Sequence, residues 1–364
     1  MFTVKIVLLV FAALALIDRI FGSRLGIGKD FEKGINMAGT LILAMGGMLV
    51  LVPVIEGLLS GIASLSTVYF DFSIIPAFFL ANDMGGSHLA FSLAASREAG
   101  LLTAMVLSAT MGGTVSFTIP YVFGATDKKY HPDIVLGLIA GIITVPLGIL
   151  VSGIMLGVDF ISLVFILLPL CAFSALLVLL IVRFERAAVA FFVWLGRILK
   201  AIIGVGLMIG IIHYVTGWAA IPGIKPLSEV MTTMLDIMCV MVGAFPLLTI
   251  LGRLLKKPLS SLGGLLGTNG TSAFGLLASL GNSVTTYAML DDMDRRGVVL
   301  NAAFSVSAAF VLMDHLAWTM AIAPETVGAV VVGKLVAGVS SIFLALLLLK
   351  KKKISVGSAV EERE

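Results

Sequence analysis

Charge is scarce in this chain. Asp, Glu, Lys and Arg together make up 12% of 364 residues while 59% are hydrophobic, a balance that excludes an ordinary soluble domain. Histidine is scarcer still, at four residues without metal-ligand spacing. The only cysteines, Cys171 and Cys239, sit in apolar stretches without CxxC spacing, so neither a disulfide framework nor a metal cluster is available and packing is the role expected of them. There is no HExxH, no Walker A loop, no GxSxG and no kinase set. With those signatures missing, no catalytic residue, metal or cofactor is expected, and ATP hydrolysis within this chain is unsupported. The net charge of +3 comes from short basic loops and from Lys350 to Lys353, a positive-inside anchor, rather than from a surface suited to nucleic acid.

What is abundant is apolar sequence. Stretches near 5–22, 34–58, 100–124, 133–156, 160–183, 199–219, 231–254, 298–320 and 326–349 each reach the roughly 20 residues that cross a bilayer as a helix. The expected fold is therefore an all-α polytopic membrane protein with about nine spanning helices. The first stretch ends in Asp18-Arg19, with Arg24 beyond, instead of a small-residue cleavage site, and reads as a retained helix.

The chain also contains itself twice. An offset of 197 lays Leu136-Gly-Leu-Ile-Ala-Gly141 on Gly333-Lys-Leu-Val-Ala-Gly338, Gly100 on Gly297 and Gly46 on Gly243. It also brings the polar interruption Asn82-Asp83-Met84-Gly85-Gly86 over the second one at Gly281-Asn282-Ser283. A duplicated apolar unit whose halves are each broken by glycine and polar groups is a signature of secondary transporters.

The segments 66–95 and 263–292 are either full crossings or re-entrant hairpins. As full crossings they put Lys128-Lys129, Arg183/Arg186 and Arg253/Lys256/Lys257 opposite the basic loop that holds Arg19, Arg24, Lys29 and Lys33, against the positive-inside rule. As two re-entrant helical hairpins they gather these loops, Arg295-Arg296 and the C-terminal lysines in the cytoplasm and leave the N-terminus outside. The halves are then an inverted-topology repeat, with 1–157 as the first, 158–190 as a linking helix and 191–364 as the second with a short cytoplasmic tail. Both hairpin tips are expected near the midplane. A parallel duplication is the alternative.

The candidate binding residues lie at those tips. Asp83 is costly inside a membrane unless a cation meets it, so it leads as a ligand for a cationic substrate or coupling ion; capping the following half-helix is its ordinary structural role. Asn82, Gly85 and Gly86 complete the first tip. The second offers Asn282 and Ser283, with Thr285 and Thr286 following, whose neutral groups suit a hydroxyl and equally suit caps or helix contacts. Near 298–320 stand Asp314 and His315, with Trp318 a turn beyond. Residue counting gives Asp314 and Lys334 similar depth, which makes an ion pair between them plausible, structural or substrate-contacting. The offset pairs these two with Phe117 and Gly137, so the feature belongs to one copy. Asn269-Gly-Thr fits a glycosylation pattern but falls in the second hairpin and is discounted.

Several stretches together resemble the ethanolamine permease family, the EutH-type proteins of bacterial ethanolamine utilisation. They are Asn82-Asp-Met-Gly-Gly86, Arg253 to Pro258, Leu280-Gly-Asn282, Met293-Asp-Arg295-Arg-Gly297, Ser305-Val-Ser-Ala-Ala-Phe310, Asp314-His-Leu316 and Gly333-Lys-Leu335. The resemblance runs from the first helix to the last. It implies a permease of the bacterial inner (plasma) membrane that takes up ethanolamine, with Asp83, Gly85, Gly86, Asn282, Asp314, His315 and Lys334 matching the family pattern. Departures occur at Asn82, where the family also has cysteine, and in Ser283-Val-Thr-Thr-Tyr287, so a related amino alcohol or small amine, moved with or without proton or sodium, stays open. The partners expected are the small-molecule substrate and the lipid bilayer, with homo-oligomerisation open. A membrane sensor or scaffold is the reading from a different class.

Overall fold

A computed structural model describes residues 2–351; Lys352, Lys353 and the acidic tail lie outside the described residues. Among these residues every regular element is helical. The elements are α1 (Phe2–Ile20), α2 (Gly28–Ala63), α3 (Ile74–Phe79), α4 (Gly86–Leu93), α5 (Arg97–Ala125), α6 (His131–Met155) and α7 (Phe160–Arg183). They continue as α8 (Glu185–Thr216), α9 (Leu227–Leu254), α10 (Lys256–Leu266), α11 (Gly270–Gly281), α12 (Ser283–Tyr287), α13 (Arg295–Ala308), α14 (Asp314–Ile322) and α15 (Val327–Lys351). Seven helical stretches are long and apolar enough to cross a membrane: those of α2, α5, α6, α7, α8, α9 and α15. The chain is thus a multi-pass membrane protein.

Two expected spans differ. The first apolar stretch forms α1, but Lys5, Asp18 and Arg19 put three charges into its 19 residues and it falls outside those seven. The stretch near 298–320 is not continuous: it breaks between α13 and α14, where Phe310 has φ +63°. Tertiary hydrogen bonds hold the break, because Phe310 N donates to Ser279 O at 3.0 Å and Leu312 N to Leu280 O at 2.8 Å. The backbone groups that the break releases are thus satisfied by the end of α11, as burial away from water requires. The cysteines also differ from expectation: Cys171 and Cys239 are both exposed on helix flanks, where their small apolar side chains can face lipid.

Helix α5 is the centre of the molecule. Every residue from Ala99 to Ser116 is buried, the pattern of a helix packed on all sides. Much of it, Leu102–Gly112 and Thr114–Thr118, is wound as π-helix. Along it Thr103, Thr110, Thr114 and Ser116 donate to the carbonyls of Ala99, Val106, Thr110 and Gly112.

Contacts between elements recur in reciprocal form. Gly243 of α9 packs so closely on α1 that a Cβ would lie 2.2 Å from Leu8 O, and Gly47 of α2 packs still more closely on α8, where a Cβ would lie 1.7 Å from Ile203 O. Helices α2 and α9 run antiparallel: Lys225 N, just before α9, donates to Val50 O at 2.9 Å, whereas Arg253 at its far end donates to the carbonyls of Leu25 and Gly26 before α2. Helices α6 and α15 are antiparallel as well, with Gly148 against Gly333 O and Ser152 Oγ donating to Ala329 O at 2.8 Å. Arg97 at the start of α5 pairs with Glu325 beyond α14, and Arg295 at the start of α13 pairs with Asp133 beyond α5. The course of α5 is therefore opposite to that of α13 and α14.

Candidate functional site

The first break is built by α5. Between α3 and the 3-10 turn Asn82–Met84, Leu80 and Ala81 are extended. Ser108 Oγ donates to Leu80 O at 2.5 Å and Ser116 Oγ accepts from Ala81 N at 3.1 Å, so hydroxyls of α5 replace the helix bonds lost there. Gly85 carries φ +92°, left-handed backbone that suits glycine, and a Cβ on it would lie 2.5 Å from Met48 Cγ. Below the turn, Ser87 Oγ donates to Asn82 O at 2.6 Å and accepts from Trp318 Nε1 at 3.1 Å.

The second break, between α11 and α12, is at Asn282, whose Oδ1 accepts from Val284 N at 2.8 Å and caps the short helix that follows. Both segments are tied at their bases. Asp71 accepts from Ser73 N and Ala95 N, the two ends of the first; Asp294 accepts from Thr268 Oγ1 and Asn269 N, and Asn269 donates to Asp292 O, joining the ends of the second. Asn269 is thus a structural clasp and the N-cap of α11.

The two breaks and the interruption before α14 meet on one cavity of about 660 Å³. Asp83, Asn282, Asp314 and His315 line it, together with Ala109, Phe117, Ser305 and Phe310. The Phe117 and Phe310 rings meet edge to face at 5.5 Å, and Tyr121 stacks on Phe117 at 5.6 Å. Lining of this kind can hold a small organic cation: carboxylates for charge, ring faces for a cation–π contact, and an amide and hydroxyl for a polar end.

Not all residues singled out from sequence reach the cavity. Asn82 and Ser283 are fully buried and their side-chain polar atoms have no hydrogen-bond partner among the described residues. Gly85 and Gly86 shape the first break without lining the space. Trp318 is fully buried and braces the turn from below, with His88 edge to face at 5.8 Å. The Asp314–Lys334 pair is absent from the ion pairs within 4.0 Å among the described residues. Lys334 Nζ instead donates to Ala109 O at 2.6 Å. Counting along two helices gives depth but not direction around the axis, which is why the pairing was not readable.

Phe117, Phe310 and Ser305 are lining residues that sequence reasoning passed over. Phe117 had a signal, since the 197 offset places it on Asp314, and both line the same cavity.

Two further cavities lie toward opposite ends of α2 and α9. One of about 810 Å³ is lined by Asp30, Lys33, Arg253 and Thr285, and it also reaches Asn282. The other, about 350 Å³, is lined by Glu56, His88, Lys225 and Glu229. Val52, which lines the latter, and Met84, which lines the central cavity, pack in one cluster with Met48.

The family model described as "Ethanolamine utilisation protein, EutH" matches residues 2–348. The chain is 38% identical to the probable ethanolamine permease EutH of Listeria monocytogenes, covering 98% of this chain and 97% of that protein. It is 33% identical to the Salmonella typhimurium protein of the same name, over 95% and 94% of the two chains, and 32% identical to that of Escherichia coli, over 95% of each. No solved structure matches. With the match running nearly end to end, the chain belongs to the EutH family, whose members are permeases and not enzymes.

Proposed function

We propose that this protein carries ethanolamine across the membrane, binding its protonated form in the central cavity. The observation that carries the reading is the convergence of Asp83, Asn282 and Asp314, from three separate helix breaks, on one cavity edged by Phe117 and Phe310. Asp83 takes the ammonium, the rings flank it, and Asn282 takes the hydroxyl. Asp314 and His315 extend the polar wall. The names of the relatives agree with this substrate.

The two halves, 1–157 and 191–364 with 158–190 as linking helix, are inverted-topology repeats in this reading. Support comes from the antiparallel course of α2 and α9, of α6 and α15, and of α5 against α13 and α14, each pair related by the 197 offset. The segments 66–95 and 263–292 are then re-entrant hairpins, and α1 with the broken α13 and α14 completes nine crossings. Positive-inside bias puts the N-terminus outside, the end of α15 in the cytoplasm and the 810 Å³ cavity on the cytoplasmic side, as the inner route to Asn282.

Competition against labelled ethanolamine in liposomes containing the purified protein tests the reading. Ethanolamine and close amino alcohols compete; ethylene glycol, which lacks the ammonium, does not. Uptake that no amine diminishes, or no uptake at all from folded protein, would sink it and favour a sensor.

A further inference from the structure

Lys334 is a charged side chain with no place in the binding scheme above. It is 1% exposed, its Nζ donates to the carbonyl of Ala109, and no carboxylate lies within 4.0 Å of it among the described residues. An ammonium held in the interior by one carbonyl is an expensive arrangement. One fact gives it a use. Ala109 lies in the π-helical part of α5 and lines the cavity that Asp83 lines, so the lysine head is anchored on the wall of that space.

A carrier that holds a cation on a buried carboxylate meets a difficulty when it returns empty. Passing through a closed form with Asp83 unneutralised carries the penalty of a bare charge in a low-dielectric interior. A coupling ion can remove that penalty, and so can a cation belonging to the protein. Lysine suits the second solution, being a compact charge on a flexible four-carbon stem. The carbonyl of Ala109 gives its head a second resting place.

We propose that Lys334 is a tethered counter-ion for Asp83: it pairs with the carboxylate while the carrier returns without substrate and withdraws to the Ala109 carbonyl when the substrate ammonium takes its place. This rests on the reading of Asp83 as the ammonium site. The consequence is a division of labour between transport modes. Exchange of internal for external substrate keeps Asp83 occupied in both directions and does not need Lys334, whereas net uptake needs the empty return and does.

The experiment compares net uptake with counterflow of labelled ethanolamine in liposomes for the wild type, Lys334→Met and Lys334→Arg. Methionine keeps an unbranched stem and removes the charge. The expected result for Lys334→Met is counterflow within about twofold of wild type and net uptake lower by roughly a hundredfold, the order that follows from removing one partner of a buried charge pair. Lys334→Arg recovers part of the net flux. Counterflow also reports folding, since misfolded protein shows neither mode. If Lys334→Met keeps net uptake, or loses both modes together in protein that elutes as a single folded species, the counter-ion role is wrong. A wild type with neither mode would instead overturn the ethanolamine reading, so the two failures are distinguishable.

Discussion

A carboxylate inside a membrane is tolerated where a cation, water or a polar cavity meets it. Asp83 has such a place, facing the cavity from a turn whose neighbours Asn82 and Gly85 are buried in protein. Its position at a break was legible because Asn82-Asp83-Met84-Gly85-Gly86 interrupts an apolar run. The role of Asn282 at the second break was legible for the same reason. Hydrogen bonding of a substrate hydroxyl to Asn282 predicts that Asn282→Ala raises the half-saturating ethanolamine concentration about tenfold, equivalent to ~1.4 kcal/mol. Inhibition by ethylamine, which has no hydroxyl, should stay within about twofold, because a lost contact affects only ligands that made it. Equal weakening for both ligands would instead mean that the substitution acts through the N-cap of α12.

At the scale of elements, backbone groups decide what sequence could reveal. The break between α13 and α14 was hidden because Ala309 to Met313 has no glycine, proline or charge, and the carbonyls of Ser279 and Leu280 that accept from Phe310 N and Leu312 N are about thirty residues away in sequence. The π-helical winding of α5 was equally hidden. The bases of the two broken segments give a direct test. Asp71 is buried and ties Ser73 to Ala95, so Asp71→Ala should cost about 1–3 kcal/mol through two amides left unpaired and lower the unfolding midpoint in detergent by several degrees. An unchanged midpoint would show that the clasp contributes nothing to stability.

For the whole molecule, the sequence suggests a duplication at an offset of 197, and in the structure α9 packs on α1 through Gly243 as α2 packs on α8 through Gly47. Sequence alone could not give the direction of the second copy, which rested on loop charge. With the N-terminus outside and 66–95 re-entrant, Arg97 before α5 lies on the outer face of the membrane and Lys129 after it on the cytoplasmic face. In a Cys171→Ser/Cys239→Ser background, Arg97→Cys should react with an impermeant thiol reagent in intact cells and Lys129→Cys only after permeabilisation. Labelling of Lys129→Cys but not Arg97→Cys in intact cells would contradict the orientation.

The measurement that bears most directly on the proposed mechanism is uptake of labelled ethanolamine, well below saturation, into liposomes holding wild-type protein or Asp83→Asn at equal density. Asparagine keeps the shape of the side chain and removes its charge. Uptake by the variant should fall about a hundredfold, the consequence of losing ~3 kcal/mol of charge pairing in a site shielded from water, with Asp83→Glu recovering part of it. Full uptake by Asp83→Asn would mean that the ammonium is held elsewhere in the cavity and that Asp83 belongs to the structure of the turn alone.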